Sequence, residues 1–185
     1  MRVISGVARG TKISSIESLD TRPTLDRVKE SLFNIIQNGL RGKVVLDLFA
    51  GSGALGIEAL SRGAEKAYFC DIDSEAIKIL KQNLEKTKLI KNAIIINKDY
   101  KVALKGIQDK LDIIFLDPPY KLDLTGKAIK EILDLELIDN TSLMIVETDE
   151  LKRDMEQIEN IKELEIIDKR KYGRANLIFI KKRGN

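Results

Sequence analysis

From Lys43 onward the chain alternates short apolar runs with segments of helical period, and this alternation constrains the fold more than any other feature. "KVVLDLF" reads as a strand, and "ALGIEALSRG" as a helix stopped by Gly63. "KAYFCDI", "NAIIINKD", "LDIIFLD" and "TSLMIVET" read as further strands. Between them, "SEAIKILKQNLEKT", "KVALKGI" and "TGKAIKEILDL" read as helices. A charged helix follows near Leu151–Ile158, and "ELEIIDKRKYGRANLIFIKKR" reads as an antiparallel pair turning at Gly173. The apolar runs are almost unbroken, as in strands buried on both faces. The expected fold is α/β: a doubly wound, Rossmann-like sheet, mostly parallel with an antiparallel final strand. Its ligands should sit at the carboxyl ends of the strands.

Ahead of this core, "RVISGVARGTKIS" reads as two short strands broken by Gly6 and Gly10, a β-hairpin. In "TLDRVKESLFNII", Leu25, Val28, Leu32, Ile35 and Ile36 share a helical face, with Thr24 as N-cap after Pro23. We therefore expect a single domain over residues 1–185: a hairpin and helix extension (1–40) on an α/β core (41–185). No apolar run approaches the ~20 residues a membrane helix needs. "MRVISGVARG" lacks the apolar segment of a secretory signal.

The single cysteine, Cys70, excludes an internal disulfide and fits a cytoplasmic protein. It lies inside a strand, where a small buried apolar role is expected. With no histidine in the chain, a zinc site is not expected, and acid–base chemistry falls to carboxylates, lysine, tyrosine or backbone groups. The net charge of +3 is uneven. Residues 169–185 carry Lys169, Arg170, Lys171, Arg174, Lys181, Lys182 and Arg183 with no acid, so the body is slightly acidic. Basic ends on such a body suggest contact with a polyanion.

The strand-to-helix turn "DLFAGSGALG" contains G-x-G-x-x-G, from Gly51 through Gly53 to Gly56. Glycine lets the backbone turn tightly there, and the helix N-terminus offers free N–H groups. Alone, the pattern admits a nicotinamide-dependent oxidoreductase. Asp47 argues against it, because a carboxylate at the strand tip would repel a pyrophosphate and suit a cationic ligand. Asp71, at the end of the next strand, is placed to accept hydrogen bonds from ribose hydroxyls. Asp73 is a helix cap by position, and Asp99 is either a cap or a partner of an adenine amino group. Gly56 is best explained as a close-packing position.

"IIFLDPPY" is the most specific signal. Two prolines after an apolar strand fix φ twice and hold Asp117 at the strand's carboxyl end. With "DLFAGSG" before it, the order resembles that of S-adenosylmethionine-dependent methyltransferases acting on exocyclic base amines through a (D/N)-P-P-(Y/F/W) motif. "RVISGVARGTKI", "TRPTLDRVKESLFNII", "VLDLFAGSGALGIEALSRGA", "FLDPPY" and "YGRANLIFIKKR" together resemble the bacterial small-subunit ribosomal RNA guanine-N2 methyltransferase family over nearly the whole chain.

That resemblance implies methylation of the N2 amine of one guanine in 16S ribosomal RNA, in a partly or fully assembled small subunit. It implies S-adenosyl-L-methionine as cofactor, held by Asp47, Phe49, Gly51, Ser52, Gly53, Asp71, Ile72 and Asp99. The catalytic set is Asp117, Pro118, Pro119 and Tyr120: the Asp side chain and the first proline's carbonyl accept from the amine, and the aromatic ring stacks on the base. No metal and no membrane enter the reading. Arg2, Arg9 and Lys12 are candidates for RNA phosphates, Arg22, Thr24 and Arg27 for the pocket mouth, and Tyr172 and Arg174 for the far side. The alternatives are adenine-N6 methylation of DNA or RNA and an RNA-binding assembly factor without catalysis.

Overall fold

A computed structural model describes residues 1–15, 23–119 and 123–184, without the side chains of residues 23–25. Arg22 and Tyr120 lie outside the described residues, and Thr24 is described by its backbone alone. The core elements in chain order are α1 (Pro23–Ile36), β1 (Val44–Leu48), α2 (Ala54–Ser61), β2 (Lys66–Cys70), α3 (Ser74–Lys86), β3 (Ala93–Ile96) and α4 (Tyr100–Lys105). They continue through β4 (Ile113–Leu116), α5 (Thr125–Asp134), β5 (Leu143–Thr148), α6 (Leu151–Glu159), β6 (Leu164–Tyr172) and β7 (Ala175–Lys182). The strands form one sheet in the order β3-β2-β1-β4-β5-β7-β6. β3 through β5 run parallel, while β7 is antiparallel to both β5 and β6. Among the described residues no helix is long and apolar enough to cross a membrane.

Strand alternation splits the core into two layers. Val45, Phe69, Phe115, Ile145 and Phe179 face α1, α2 and α3, where they meet Leu32, Phe33, Ile57 and Leu80. Leu46, Leu48, Leu116, Val146 and Ile178 face α4, α5 and α6. The chain order reverses beside β1, whose neighbours are β2 and β4. A crevice opens there at the strands' carboxyl ends.

The N-terminal segment keeps the expected hairpin in a minimal form: Arg2 and Lys12 form one antiparallel bridge, flanked by bonds from Val3 N–H to the Thr11 carbonyl (3.0 Å), Gly10 N–H to the Val3 carbonyl (2.8 Å) and Ile13 N–H to the Met1 carbonyl (3.0 Å), without a regular strand. Its backbone also bonds to α2. Ile4 and Ser5 N–H donate to the Glu58 carboxylate (2.8 and 3.0 Å), and Val7 N–H donates to the Ser61 carbonyl (2.8 Å). Gly6 (φ +85°) passes so close that a Cβ would stand 1.8 Å from the Ser61 carbonyl oxygen. The hairpin's turn is thus also built for close contact with a helix.

Glu58 is fully buried and also pairs with Arg62 (2.8 Å) and Lys29 (3.5 Å). Lys29 in turn donates to the Arg2 carbonyl at 2.7 Å. Removing one partner from such a buried pair typically costs about 3–5 kcal/mol. Two details of α1 also differ from expectation. Pro23 is its first residue, which suits proline's fixed φ and missing donor, so Thr24 lies inside the helix and is not the N-cap. Phe33 is buried against Phe115, whereas Ile35 is exposed.

Candidate active site

β1 ends in a turn whose geometry is over-determined. Phe49 adopts φ +70°, rare for a side chain of its size. The N–H groups of Phe49 and Ala50 both donate to the Cys70 carbonyl at 2.9 Å, which holds the turn against β2. Gly51 and Gly53 follow with positive φ, and Gly53 precedes α2 directly. The Ser52 carbonyl accepts from Asn83 of α3 (2.9 Å), a buried side chain that also exchanges bonds with Ser14. Gly56 is the close-packing position expected: a Cβ there would lie 2.2 Å from the Phe69 ring.

Two cavities flank Phe49. One, of about 130 Å³, is lined by Phe49, Cys70, Asp71, Ile72, Asp99 and Pro119, among others. The other, of about 200 Å³, is lined by Asp47, Gly51, Ser52, Asp117, Glu147 and Lys29, among others. The cofactor candidates Asp47, Phe49, Gly51, Ser52, Asp71, Ile72 and Asp99 therefore converge on one crevice, with Asp117 in the same wall. Pro118 is buried and Pro119 exposed.

The carboxylates in the two cavities differ. Asp71 accepts from Gly51 N–H (2.8 Å) and Asp73 N–H (2.9 Å). Asp99 caps α4 through Lys101 N–H (3.0 Å) while lining the first cavity, so both of its candidate roles are compatible. Asp73 caps α3, accepting from Glu75 N–H. Asp47 is buried and accepts from Gly56 N–H (2.9 Å). Burial lifts its pKa to about 7, with Asp71 adding and the Gly56 bond opposing. Asp117 is held well above the ordinary carboxylate range by burial first, then by Glu147, Asp47 and Asp149. Burial also raises Glu147. Cys70 is buried, its thiol pushed up to about 12, in keeping with a packing role.

The model of the family described as Conserved hypothetical protein 95 matches residues 1–181. The Bacillus subtilis protein YlbH is 40% identical over 187 residues, covering the whole of both chains. Ribosomal RNA small subunit methyltransferase D of Haemophilus influenzae is 39% identical over 155 residues, or 82% of this chain and 80% of that one. The chain belongs to the small-subunit methyltransferase D family. A solved Escherichia coli structure, yhhF, superposes with a TM-score of 0.82 at 28% identity, covering 100% of this chain and 99% of that one. The resemblance carried by the sequence motifs, and the sheet they imply, are borne out by this membership.

Strand pairing divides the basic candidates between the two edges of the sheet. Thr148 pairs with Asn176, so the β6–β7 turn, with Tyr172 and Arg174, lies at the crevice edge. Lys181 and Lys182 run to the opposite edge, where Leu164 pairs with Lys182. Arg2 and Lys12 form the bridge beside Met1, which lines the acidic cavity. Arg9 follows the turn packed on the far end of α2. Arg27 is exposed on the first turns of α1. Glu147, Lys29, Glu58 and Asn83 were not singled out from sequence. A lone acid in "LMIVET" was the available signal for Glu147; the others sit on ordinary amphipathic helices.

Proposed function

We propose that this protein transfers a methyl group from S-adenosyl-L-methionine to the N2 amine of a guanine in 16S ribosomal RNA. The observation that carries the reading is the acidic cavity in which Asp47 on β1 and Asp117 just past the end of the neighbouring β4 stand beside the glycine turn. The cofactor's chemistry fits that cavity. Carboxylates held up by burial accept a cationic amino group and sulfonium, whereas a dinucleotide's pyrophosphate would meet like charge. Asp47 would take the amino group, Asp71 the ribose, and the cavity of Ile72, Asp99 and Tyr100 the adenine. Gly51, Ser52 and Gly53 make room for the methionine end.

When bound, the cofactor supplies a methyl group on a positively charged sulfur. An exocyclic amine is a weak nucleophile because its lone pair delocalises into the ring. Asp117 and the Pro118 carbonyl accept its two hydrogens, draw the nitrogen toward sp³ geometry and aim the lone pair at the methyl carbon. Tyr120 stacks on the base. Methylation would leave the nitrogen cationic, and Asp117 would take the proton it releases. A carboxyl with a raised pKa is suited to hold it.

The target base must leave its stack or be met unpaired. Tyr172 and Arg174 flank the crevice from one side; Arg2, Lys12 and Arg27 serve the other, and Arg9 reaches backbone farther away. An enzyme of ribosomal RNA works in the cytoplasm, on a partly or fully assembled small subunit. The test is transfer from labelled cofactor to naked 16S RNA, a partly assembled particle and the mature subunit, followed by nucleoside mass spectrometry. N2-methylguanosine at one position is expected. N6-methyladenosine instead would move the enzyme to the adenine class, and NAD(H) binding without S-adenosylhomocysteine binding would overturn the reading.

A further inference from the structure

Glu147 lines the acidic cavity, yet the transfer step above makes no use of it. Its position follows from strand register. β4 and β5 are parallel with Leu116 opposite Val146, so the next residues, Asp117 and Glu147, stand side by side about 4.8 Å apart. Both lie two residues beyond core partners on one face, Phe115 and Ile145, which puts the two side chains on the α1 side of the sheet. Among the described residues, the Glu147 side chain has no hydrogen-bond or ion-pair partner. Lys29 shares the cavity, but its ammonium is committed to the Arg2 carbonyl and Glu58.

The sheet order gives this carboxyl a direction. Asp47 on β1, Asp117 just past the end of β4 and Glu147 on β5 follow one another across the sheet. The cofactor side is β1 and β2. A base whose amine is held at Asp117 with its lone pair toward β1 extends its ring toward β5. On guanine, the ring atom beside the amine-bearing carbon on the Watson–Crick edge is N1, which carries a hydrogen. On adenine the corresponding N1 is an acceptor.

We propose that Glu147 is the specificity-determining residue of the target pocket, accepting the N1–H of guanine while Asp117 holds the N2 amine. This inference rests on the guanine-N2 reading. It explains why a carboxyl without a partner is kept beside a second one. Both acquire donors when guanine enters, and a buried acceptor that stays unpaired is costly. An ionised carboxylate meets adenine's N1 with repulsion, so the pocket rejects the wrong base as well as binding the right one.

2-Aminopurine provides the test, because it keeps the 2-amine but has an unprotonated N1. Small-subunit particles carrying guanine or 2-aminopurine at the mapped position are methylated by wild type, Glu147→Gln and Glu147→Ala. The readout is kcat/KM for each base, with S-adenosylhomocysteine affinity measured by calorimetry. Wild type should prefer guanine by about 10- to 100-fold, the range of a hydrogen bond to a charged group. Glu147→Ala should be slow on both bases, with the preference reduced to within about threefold. Glu147→Gln, whose amide donates to N1 of 2-aminopurine, should shift the ratio toward that base by about tenfold or more. S-adenosylhomocysteine affinity should stay within about twofold in both variants.

An unchanged base ratio in both variants, with N2-methylguanosine still formed by wild type, overturns the role of Glu147 and leaves the guanine reading standing. Loss of S-adenosylhomocysteine binding in step with activity overturns it too, since Glu147 would then be holding the cleft together. No N2-methylguanosine from wild type removes the guanine reading itself.

Discussion

The two cavities beside Phe49 share a wall and treat their carboxylates in opposite ways. In the smaller, Asp71 and Asp99 accept backbone N–H groups and sit near water. In the larger, Asp47, Asp117 and Glu147 are gathered on one face with few donors and raised pKa values. A site for neutral hydroxyls and a purine gains from being satisfied before the ligand arrives, because nothing then has to reorganise. A site for a cation and a proton-releasing amine gains from unsatisfied negative charge. The ligands supply what the fold withholds, and part of the cost of gathering the acids is recovered only on binding. Phe49, held at φ +70°, is the partition between the two.

The contrast can be broken at its outer wall. Glu58→Ala should cost about 3–5 kcal/mol in denaturant unfolding, because it strands Lys29 and Arg62 and frees Ile4 and Ser5. Where the variant remains folded, RNA methylation should fall more than S-adenosylhomocysteine affinity. Equal losses would mean that the N-terminal segment supports both cavities alike. Asp117→Ala should lower kcat by about 10²–10³, the scale of one transition-state contact, and leave S-adenosylhomocysteine affinity within a few-fold. Near-normal turnover would remove Asp117 from the chemistry.

Asp47 sharpens the contrast through pH. Its folded pKa, near 7, lies above the ordinary value of 3.8. The ligand-free protein therefore binds an extra proton between those values, and stability falls as pH rises from about 4 toward 7. Asp117, Glu147 and Lys29 line the same cavity, and Asp71 acts on Asp47 from the neighbouring one; together they set the background of that titration. Asp47→Asn should flatten the slope and raise ligand-free stability at pH 8 by about 1–3 kcal/mol. S-adenosylhomocysteine affinity of wild type should rise through pH 7 and lose that rise in the variant. An unchanged pH profile would show that Asp47 does not carry the charge.

The smallest effect belongs to the satisfied cavity. Asp99→Ala removes a cap worth about 0.5–1 kcal/mol and should weaken the cofactor only modestly, by calorimetry. A loss as large as that for Asp47 would erase the distinction between the cavities.

Much of this was legible from one strand to the next. The period change at Lys43, the glycine turn after Asp47, the caps at Asp73 and Asp99 and the rigid "DPP" after β4 are local signals, each written within a few residues. The N-terminal hairpin is legible at Gly6 and Gly10, whose positive φ lets the chain turn back on itself. Its docking on α2, a contact more than fifty residues away, is not. Period alone groups Ile35 with the apolar face of α1, but the stripe α1 buries is set by where Phe115 and the sheet meet it.

By itself, then, the sequence determined the order of strands and helices, the crevice-forming turn and the motif that names the chemistry, since periodicity and backbone preference act over short range. The tertiary structure decided which distant residues share a cavity. Register between β4 and β5 places Glu147 beside Asp117, and antiparallel pairing sends one half of the basic tail to the crevice and the other half away. Those outcomes depend on strand pairing and packing across the whole chain, which no local pattern encodes.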